Sequence, residues 1–398
     1  MTPGPTMKPC SDISSGPDMR SCPDITAGAG RKRRRMAVLA AAAFAIAAVP
    51  GCTATPSGPA EPDGQVPQET STASPGPPGA VVPGEPDVIS TGLDAPWAIA
   101  FHEGVPLISE RDSGRILELD DTGNAREAGV IQDAAGRGEG GLLGIAVQDG
   151  SLYTYFTAGT ENRIERREIS GGPGSLALGP ATTVLDGIPA GPIHNGGRIA
   201  FGPDGLLYAT TGDAGDRGSA QDRDALSGKI LRMGTDGEAP EDNPFPGSLV
   251  YSYGHRNPQG IAWDSNGTMY ASEFGQDTWD ELNVITPGGN YGWPDVEGIA
   301  GEEGFIDPVQ QWDPGDASPS GIAVAGGSIL IANLRGERLR EVPLDGLDSS
   351  IEHLATGYGR LRDVVAAPDG TLWVLTNNTD GRGTPGTDDD RVLALRIG

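Results

Sequence analysis

From residue 98 onward, short apolar runs come in pairs, each pair split by a polar turn. The pairs are Ile99–Phe101 with Leu107–Ser109, Gly144–Val147 with Leu152–Tyr155, and Ile199–Phe201 with Leu206–Ala209. Further on come Ile261–Trp263 with Met269–Ala271, Ile322–Val324 with Ile329–Ile331, and Val364–Ala366 with Leu372–Leu375. Four of the turns contain Asp-Gly or Asn-Gly (149–150, 204–205, 266–267, 369–370), dipeptides that tolerate positive φ in a tight hairpin. A two-strand phrase recurring roughly every 40 to 60 residues is what a propeller blade produces. No 3.6-residue periodicity competes with it. Six copies predict an all-β, six-bladed β-propeller in preference to a two-sheet sandwich. The closing run Val392–Arg396 is expected to pair with Asp87–Ile89 and seal the ring.

A hairpin goes out and returns, so the residues before its first strand and after its second lie at one end. Applied to every repeat, this collects one rim. It carries Glu139, His194 to Arg198, Gly212-Asp213, Arg256-Asn257, Gly275-Gln276, Arg335 and Arg360 to Arg362. The other rim holds mostly Asp, Asn and Gly turns. A single polar loop residue means little, but Arg256, Arg335, Arg360 and Arg362 together on one rim of an acidic chain point to an anionic ligand, since guanidinium prefers carboxylate-like partners. The loop Gly254-His255-Arg256-Asn257-Pro258-Gln259-Gly260 is the densest part of this grip.

There are 4 His. His194 sits among glycines that let a ligand come close, and Asp213 returns to the same rim one hairpin later. A carboxylate on one imidazole nitrogen fixes the tautomer and raises basicity, which suits a general base. His255 is expected to brace its loop through a hydrogen bond; His102 and His353 are expected at the surface. Asp280-Glu281 and Tyr291 flank a Gly-rich run whose carbonyls, with a carboxylate, suit Ca²⁺. A solvated acidic turn reads the same way. Gly-x-Ser-x-Gly on a strand-to-helix turn is missing, which disfavours serine-hydrolase chemistry.

The N-terminus changes the picture of the whole chain. Arg31-Lys32-Arg33-Arg34-Arg35, an Ala-rich apolar run over 36–49 and Gly51-Cys52 fit a secretory signal ending in a lipobox. Residues 1–51 are therefore expected to be the signal, with Cys52 lipidated as a membrane anchor. Residues 52–86 read as a disordered Pro/Gly/Ser/Thr-rich tether, and 87–398 as the propeller. Cys10 and Cys22 precede the cleavage point, so disulfides, cysteine catalysis and Cys-based zinc are excluded from the mature chain. The formal net charge is −27, and removing residues 1–51 makes it −31. Such a surface repels nucleic acid.

Four segments then carry a resemblance: Gly138 to Gly144, His194 to Arg198, Gly254 to Gly260, and Gly288-Gly289-Asn290-Tyr291-Gly292-Trp293-Pro294. Together with Arg360-Leu361-Arg362-Asp363, in this order, they resemble the soluble pyrroloquinoline-quinone (PQQ) dependent glucose/sorbosone dehydrogenases. The resemblance implies a six-bladed propeller that oxidises an aldose at its anomeric carbon to the lactone. His194 would take the hydroxyl proton, Asp213 would orient it, and hydride would pass to the quinone. Arg256, Asn257, Arg335, Arg360 and Arg362 would hold the cofactor, Arg335 standing where the family often has Lys. Carbonyls of Gly275 and Gln276 would bind one Ca²⁺, and Glu281 with Tyr291 a second, structural one. Glu139 replaces a Gln seen in some members and puts a carboxylate beside an anionic cofactor. Trp312 is a candidate for stacking on cofactor or sugar. The resemblance leaves the sugar, the electron acceptor and the oligomeric state open. A metal-dependent lactonase and a propeller used only for binding are the competing functions.

Overall fold

The computed structural model describes residues 80–82 and 84–398. The signal segment, Cys52 and most of the tether lie outside these residues. The described chain forms six antiparallel sheets, five of four strands and one of five. The innermost strands are Pro96–His102, Leu142–Gln148, Ile199–Phe201, Pro258–Trp263, Pro319–Ala325 and Leu361–Ala366. Each packs beside the next and the last meets the first, which closes a ring. This is the six-bladed propeller expected from the repeats. Every apolar pair read from the sequence occupies the inner two strands of one blade.

The turns of these hairpins use two solutions. Asp149 and Gly150 both take positive φ, 48° and 70°. In the other Asp-Gly and Asn-Gly turns only the glycine does so. There the backbone is held by a carboxylate instead: Asp204 Oδ1 accepts the Leu206 N–H at 3.1 Å, and Asp369 Oδ1 the Thr371 N–H at 2.9 Å.

Consecutive apolar residues point to opposite faces of a strand. Leu107 and Ile108 are both fully buried, because each blade is covered by a neighbour on both faces. The core is thus distributed between blades. Ile99, Ile108 and Leu117 of the first blade pack on Leu375 and Val392 of the sixth. Tyr270 and Leu282 of the fourth pack on Ile322, Ile329 and Ile331 of the fifth. Burial of such side chains contributes about 1.5–3 kcal/mol each.

The ring closes as expected: Asp87–Ser90 forms the outer strand of the sixth blade, with Asp87 opposite Ala394. Ordered packing starts earlier than Asp87, however. Ala80 and Val81 are buried, Val81 bridges Ile397, and the Ala80 and Val81 N–H groups donate to the Glu341 carboxylate. The end of the tether therefore packs on the propeller. Small side chains let this segment lie against the C-terminal tail, where the Ala80 carbonyl accepts the Gly398 N–H at 2.8 Å and the Val82 N–H donates to the Arg396 carbonyl at 3.0 Å, which composition alone does not reveal.

At the axis, Arg198, just before the innermost strand of the third blade, reaches Asp363 on that of the sixth, with Nη1 3.1 Å from Oδ1. In a six-membered ring these blades are opposite. Asp363 also accepts the Ile99 N–H of the first blade at 3.0 Å, and Arg198 Nε donates to the Gln259 carbonyl of the fourth at 3.0 Å. The guanidinium lies 4.3 Å from the centroid of the Trp97 ring. Burial raises the Asp363 pKa and lowers that of Arg198, so each charge depends on the other. Replacing Asp363 by Asn leaves Arg198 buried without its counter-charge. The expected loss is about 3 kcal/mol, read as a lower urea midpoint at unchanged slope. An unchanged midpoint would show that the pair adds nothing to stability.

Candidate functional site

The connectors between blades meet at one rim around a cavity of about 260 Å³. Its lining includes Glu139, His194, Arg256, Asn257, Gly275, Gln276, Asp280, Arg335, Arg360 and Arg382. Of the rim residues read from the hairpin rule, Glu139, His194, Arg256, Asn257, Gly275, Gln276, Arg335 and Arg360 thus share one mouth.

His194 holds its backbone at φ 57°, unusual for a residue with a Cβ. Its Nδ1 is 2.7 Å from Asp213 Oδ1. Asp213 is fully buried and also accepts the Gly215 N–H at 2.8 Å and the Trp293 indole N–H at 2.9 Å. Burial acts to raise the Asp213 pKa, but these hydrogen bonds, led by that from His194, hold it below the usual carboxylate range. The network therefore assigns the imidazole proton to Nδ1 and leaves the Nε2 lone pair unshared.

Arg256 Nη1 donates to the Phe274 carbonyl at 3.1 Å, and its guanidinium lies 5.5 Å from the Trp293 ring centroid. Its backbone N–H is held by the Glu273 carboxylate. Burial pulls the Arg256 pKa below its ordinary value against the opposing pull of Asp213 and Glu273. Asn257 accepts the Gly196 N–H at 3.0 Å and the Gln259 amide at 3.0 Å through its Oδ1, which leaves its own NH₂ for the cavity. Arg360 Nη2 is 3.1 Å from Asp380 Oδ2. Buried Nε atoms of Arg256 and Arg360 have no protein partner. Arg335 lines the cavity from an exposed position.

Arg362 stands apart from this group. It lines a narrower channel beneath the mouth, with Trp97, Arg111 and Gln259. Its Nη1 donates to Gln259 Oε1 and Ser320 Oγ, both at 3.2 Å. Burial first, and then the neighbouring Arg111, Arg360 and Arg198, bring its pKa down to about 9. Residues two apart share a face of a regular strand, but Arg360 precedes the strand Leu361–Ala366 and a bulge lies between Leu361 and Asp363, which puts the two guanidinium groups at different depths.

Two loops present carbonyl oxygens. Asp280 accepts the Gly275 N–H at 2.8 Å, and Glu297 accepts those of Gln276 and Trp279 at 2.6 and 3.2 Å. The Gly275 and Gln276 carbonyls are not used in these bonds. A Cβ on Gly275 would fall 1.7 Å from the Trp279 carbonyl oxygen, so only glycine fits. Burial raises the Asp280 pKa to about 6. Behind Gly275, Glu273, Glu281, Glu297 and Tyr291 line a small pocket. Glu281 is pushed up to about 8 by burial and then by Glu273. The Tyr291 hydroxyl is committed, donating to the Val284 carbonyl at 2.7 Å and accepting the Thr286 N–H at 2.9 Å. Among the described residues no group of three or more His, Cys, Asp or Glu is disposed to hold a metal, so a cation here requires main-chain carbonyls.

His255 braces its loop as expected: it is fully buried between Glu273 Oε2 and Ser252 Oγ, each at 2.8 Å. His353 differs from the expectation of a surface residue, since its Nε2 is 2.9 Å from the buried Glu341 carboxylate. Trp312 lies under Arg340, 4.7 Å from its guanidinium, and does not line the cavity. Arg382 was not singled out in the sequence. It lies in the long connection 377–391, whose many Gly and Asp hide a cation that faces the mouth.

The glucose/sorbosone dehydrogenase family model matches residues 93–384. The fold is similar to a Streptomyces coelicolor structure described as the PQQ-bound form of an aldose sugar dehydrogenase: 51% identity, TM-score 0.78, covering 81% of this chain and 100% of that one. The sequence is 29% identical over 351 residues to an aldose sugar dehydrogenase of Escherichia coli, covering 74% of this chain and 90% of that protein. It is 31% identical over 259 residues to quinoprotein glucose dehydrogenase B of Acinetobacter calcoaceticus, covering 55% and 54%.

Asp213→Asn tests the imidazole arrangement directly. Nitrogen-15 NMR of the wild-type His194 ring is expected to show a protonated Nδ1, and the variant a mixture of tautomers. A variant spectrum identical to wild type would remove Asp213 from that role.

Proposed function

The chain belongs to the glucose/sorbosone dehydrogenase family, and from that premise we propose that it oxidises an aldose at the anomeric carbon to the lactone. The observation that carries this reading is a rim cavity where buried guanidinium nitrogens without partners meet an imidazole with a free Nε2. PQQ is a planar tricarboxylate with two quinone oxygens, the type of anion such a ring of cations suits. Arg256, Asn257, Arg335 and Arg360 would hold it, with Arg362 supporting the field from the channel below. When bound, PQQ supplies the oxidant that takes hydride from the sugar.

His194 Nε2 accepts the proton of the anomeric hydroxyl in this scheme. Asp213 keeps the other nitrogen protonated and stabilises the imidazolium that forms. The Trp293 indole and the Gly215 N–H keep Asp213 ionised and oriented. Ca²⁺ also belongs to the proposal. Carbonyls of Gly275 and Gln276 would take one ion beside the cofactor, where it would polarise the reacting carbonyl. Glu281 and the main chain of Tyr291 would take a second, supported by the small pocket that Glu273, Glu281, Glu297 and Tyr291 line together.

The test is to titrate the apoprotein with PQQ, with Ca²⁺ or with EGTA, and to assay dye reduction with a panel of aldoses. Tight binding with Ca²⁺, weaker binding in EGTA and reduction by at least one aldose are expected. Failure to bind PQQ would sink the reading. His194→Ala is expected to bind PQQ normally and lose at least 100-fold in kcat. Retained activity would remove the base.

Export and lipid anchoring through Cys52 complete the proposal, supported by the basic run, the apolar stretch and the Gly51-Cys52 junction. Cys52→Ser is expected to move the protein out of the membrane fraction after cell breakage. Continued membrane retention would exclude that anchor.

A further inference from the structure

Glu139 is a carboxylate on the lip of a cavity otherwise rich in guanidinium groups. Next to a polyanionic cofactor it is the wrong charge, and its contacts explain why it is there. The Glu139 N–H donates to the Pro192 carbonyl at 3.0 Å. Its Oε2 accepts the His194 N–H at 2.9 Å. One residue thus grips the connector 192–194 at two points. His194 needs such a grip, because its left-handed backbone is disfavoured for a residue with a Cβ. On the far side its carbonyl accepts the Ala214 N–H at 3.1 Å, and Asp213 holds its ring. Glu139 supplies the missing constraint on the N–H.

The charge is met from another blade. Arg382, in the 377–391 connection of the sixth blade, places Nη2 3.1 Å from Glu139 Oε1. Its side chain is 48% exposed and Glu139's is 24% exposed. Arg382 lines both the mouth and the channel beneath it. Arg111 and Arg256 also feel the Glu139 charge but have other partners, Asp112 and the Phe274 carbonyl.

We propose that Glu139 is a positioning residue for the His194 imidazole and that Arg382 is its counter-charge, the two forming a latch between the sixth-blade connection and the connector before the third blade. The proposal rests on the PQQ reading above. Both halves of the latch are needed: an unpaired Glu139 would repel the cofactor, and a residue 139 with no side-chain acceptor would release His194.

The experiment compares wild type with Glu139→Ala, Glu139→Gln, Arg382→Ala and the double variant Glu139→Gln/Arg382→Ala. It uses PQQ titration of the apoprotein with Ca²⁺, NMR of the His194 ring in the apoprotein, and steady-state kinetics. Wild-type binding of PQQ is the control; its failure would strike the functional reading rather than the latch. Arg382→Ala is expected to weaken PQQ binding about fivefold, and the double variant to recover to within twofold of Glu139→Gln alone. A double variant as weak as Arg382→Ala would show that Arg382 grips the cofactor itself and would overturn its role as counter-charge. Glu139→Ala is expected to shift the His194 ring resonances and lower kcat about 10- to 100-fold with little change in KM. Glu139→Gln keeps an acceptor for the His194 N–H and is expected to preserve both. A Gln variant as impaired as the Ala variant, or unshifted resonances in the Ala variant, would overturn the positioning role.

Discussion

A propeller has no single core, so something must fix its blades at the axis, where the innermost strands are splayed and no apolar layer can fill the gap. Here the buried Arg198–Asp363 pair does this from opposite sides of the ring. Two charges buried together are costly unless their remaining hydrogen-bonding groups are satisfied. Ile99 and the face of Trp97 on one further strand and Gln259 on another supply partners, while Arg198 Nη2 keeps no protein hydrogen bond. The pair therefore ties four blades to one point. The floor of the rim cavity inherits its rigidity from that point, since Gln259 also donates to Asn257 and accepts from Arg362.

The electrostatics above this plug follow from the same crowding. Arg256 and Arg362 are held below their ordinary pKa by burial, and three further guanidinium groups crowd Arg362. A cluster of this kind raises the free energy of the unliganded protein, and a multivalent anion relieves it. The acidic side chains nearby offset this cluster only in part, and their hydrogen bonds go to backbone N–H groups: Glu273 on Arg256 and Asn257, Glu297 on Gln276 and Trp279, Asp280 on Gly275 and Ser318. They shape the loops, and the Arg side chains face the ligand.

The hairpins were legible in the sequence because each blade is covered on both faces, which makes its inner strands short continuous apolar runs. Ring closure was legible for the same reason, Val392–Leu395 being one more such run. The rim was legible because hairpin geometry alone assigns residues to one end. Depth along the strand was not. Arg360 and Arg362 read as equivalent, yet two residues of rise and the bulge between Leu361 and Asp363 put one at the mouth and the other in the channel. Arg382 escaped notice because the 377–391 connection has no apolar pattern to give it an address. The packing of Ala80 and Val81 escaped for a related reason, since small residues in a Pro-rich stretch look alike whether or not a partner strand is waiting.

The two rims divide labour for a physical reason. At the turn rim each hairpin closes in a few residues held by local Asp and Gly contacts, such as those of Asp204 and Asp369. Such turns have no length with which to reach a common point. At the other rim the chain must cross from the outer strand of one blade to the innermost strand of the next, passing the axis each time. The connectors before the second to sixth blades therefore deliver side chains to the same small volume. His194 before the third blade, Arg256 before the fourth, Arg360 before the sixth and Arg382 within it come from distant parts of the sequence and meet there. A connector residue changes the chemistry without breaking a strand pair, whereas Asp363, inside a strand, cannot be changed without loosening the ring. The latch of Glu139 and Arg382 is one outcome of this geometry: two connectors from the second and sixth blades are near enough to hold a third in place.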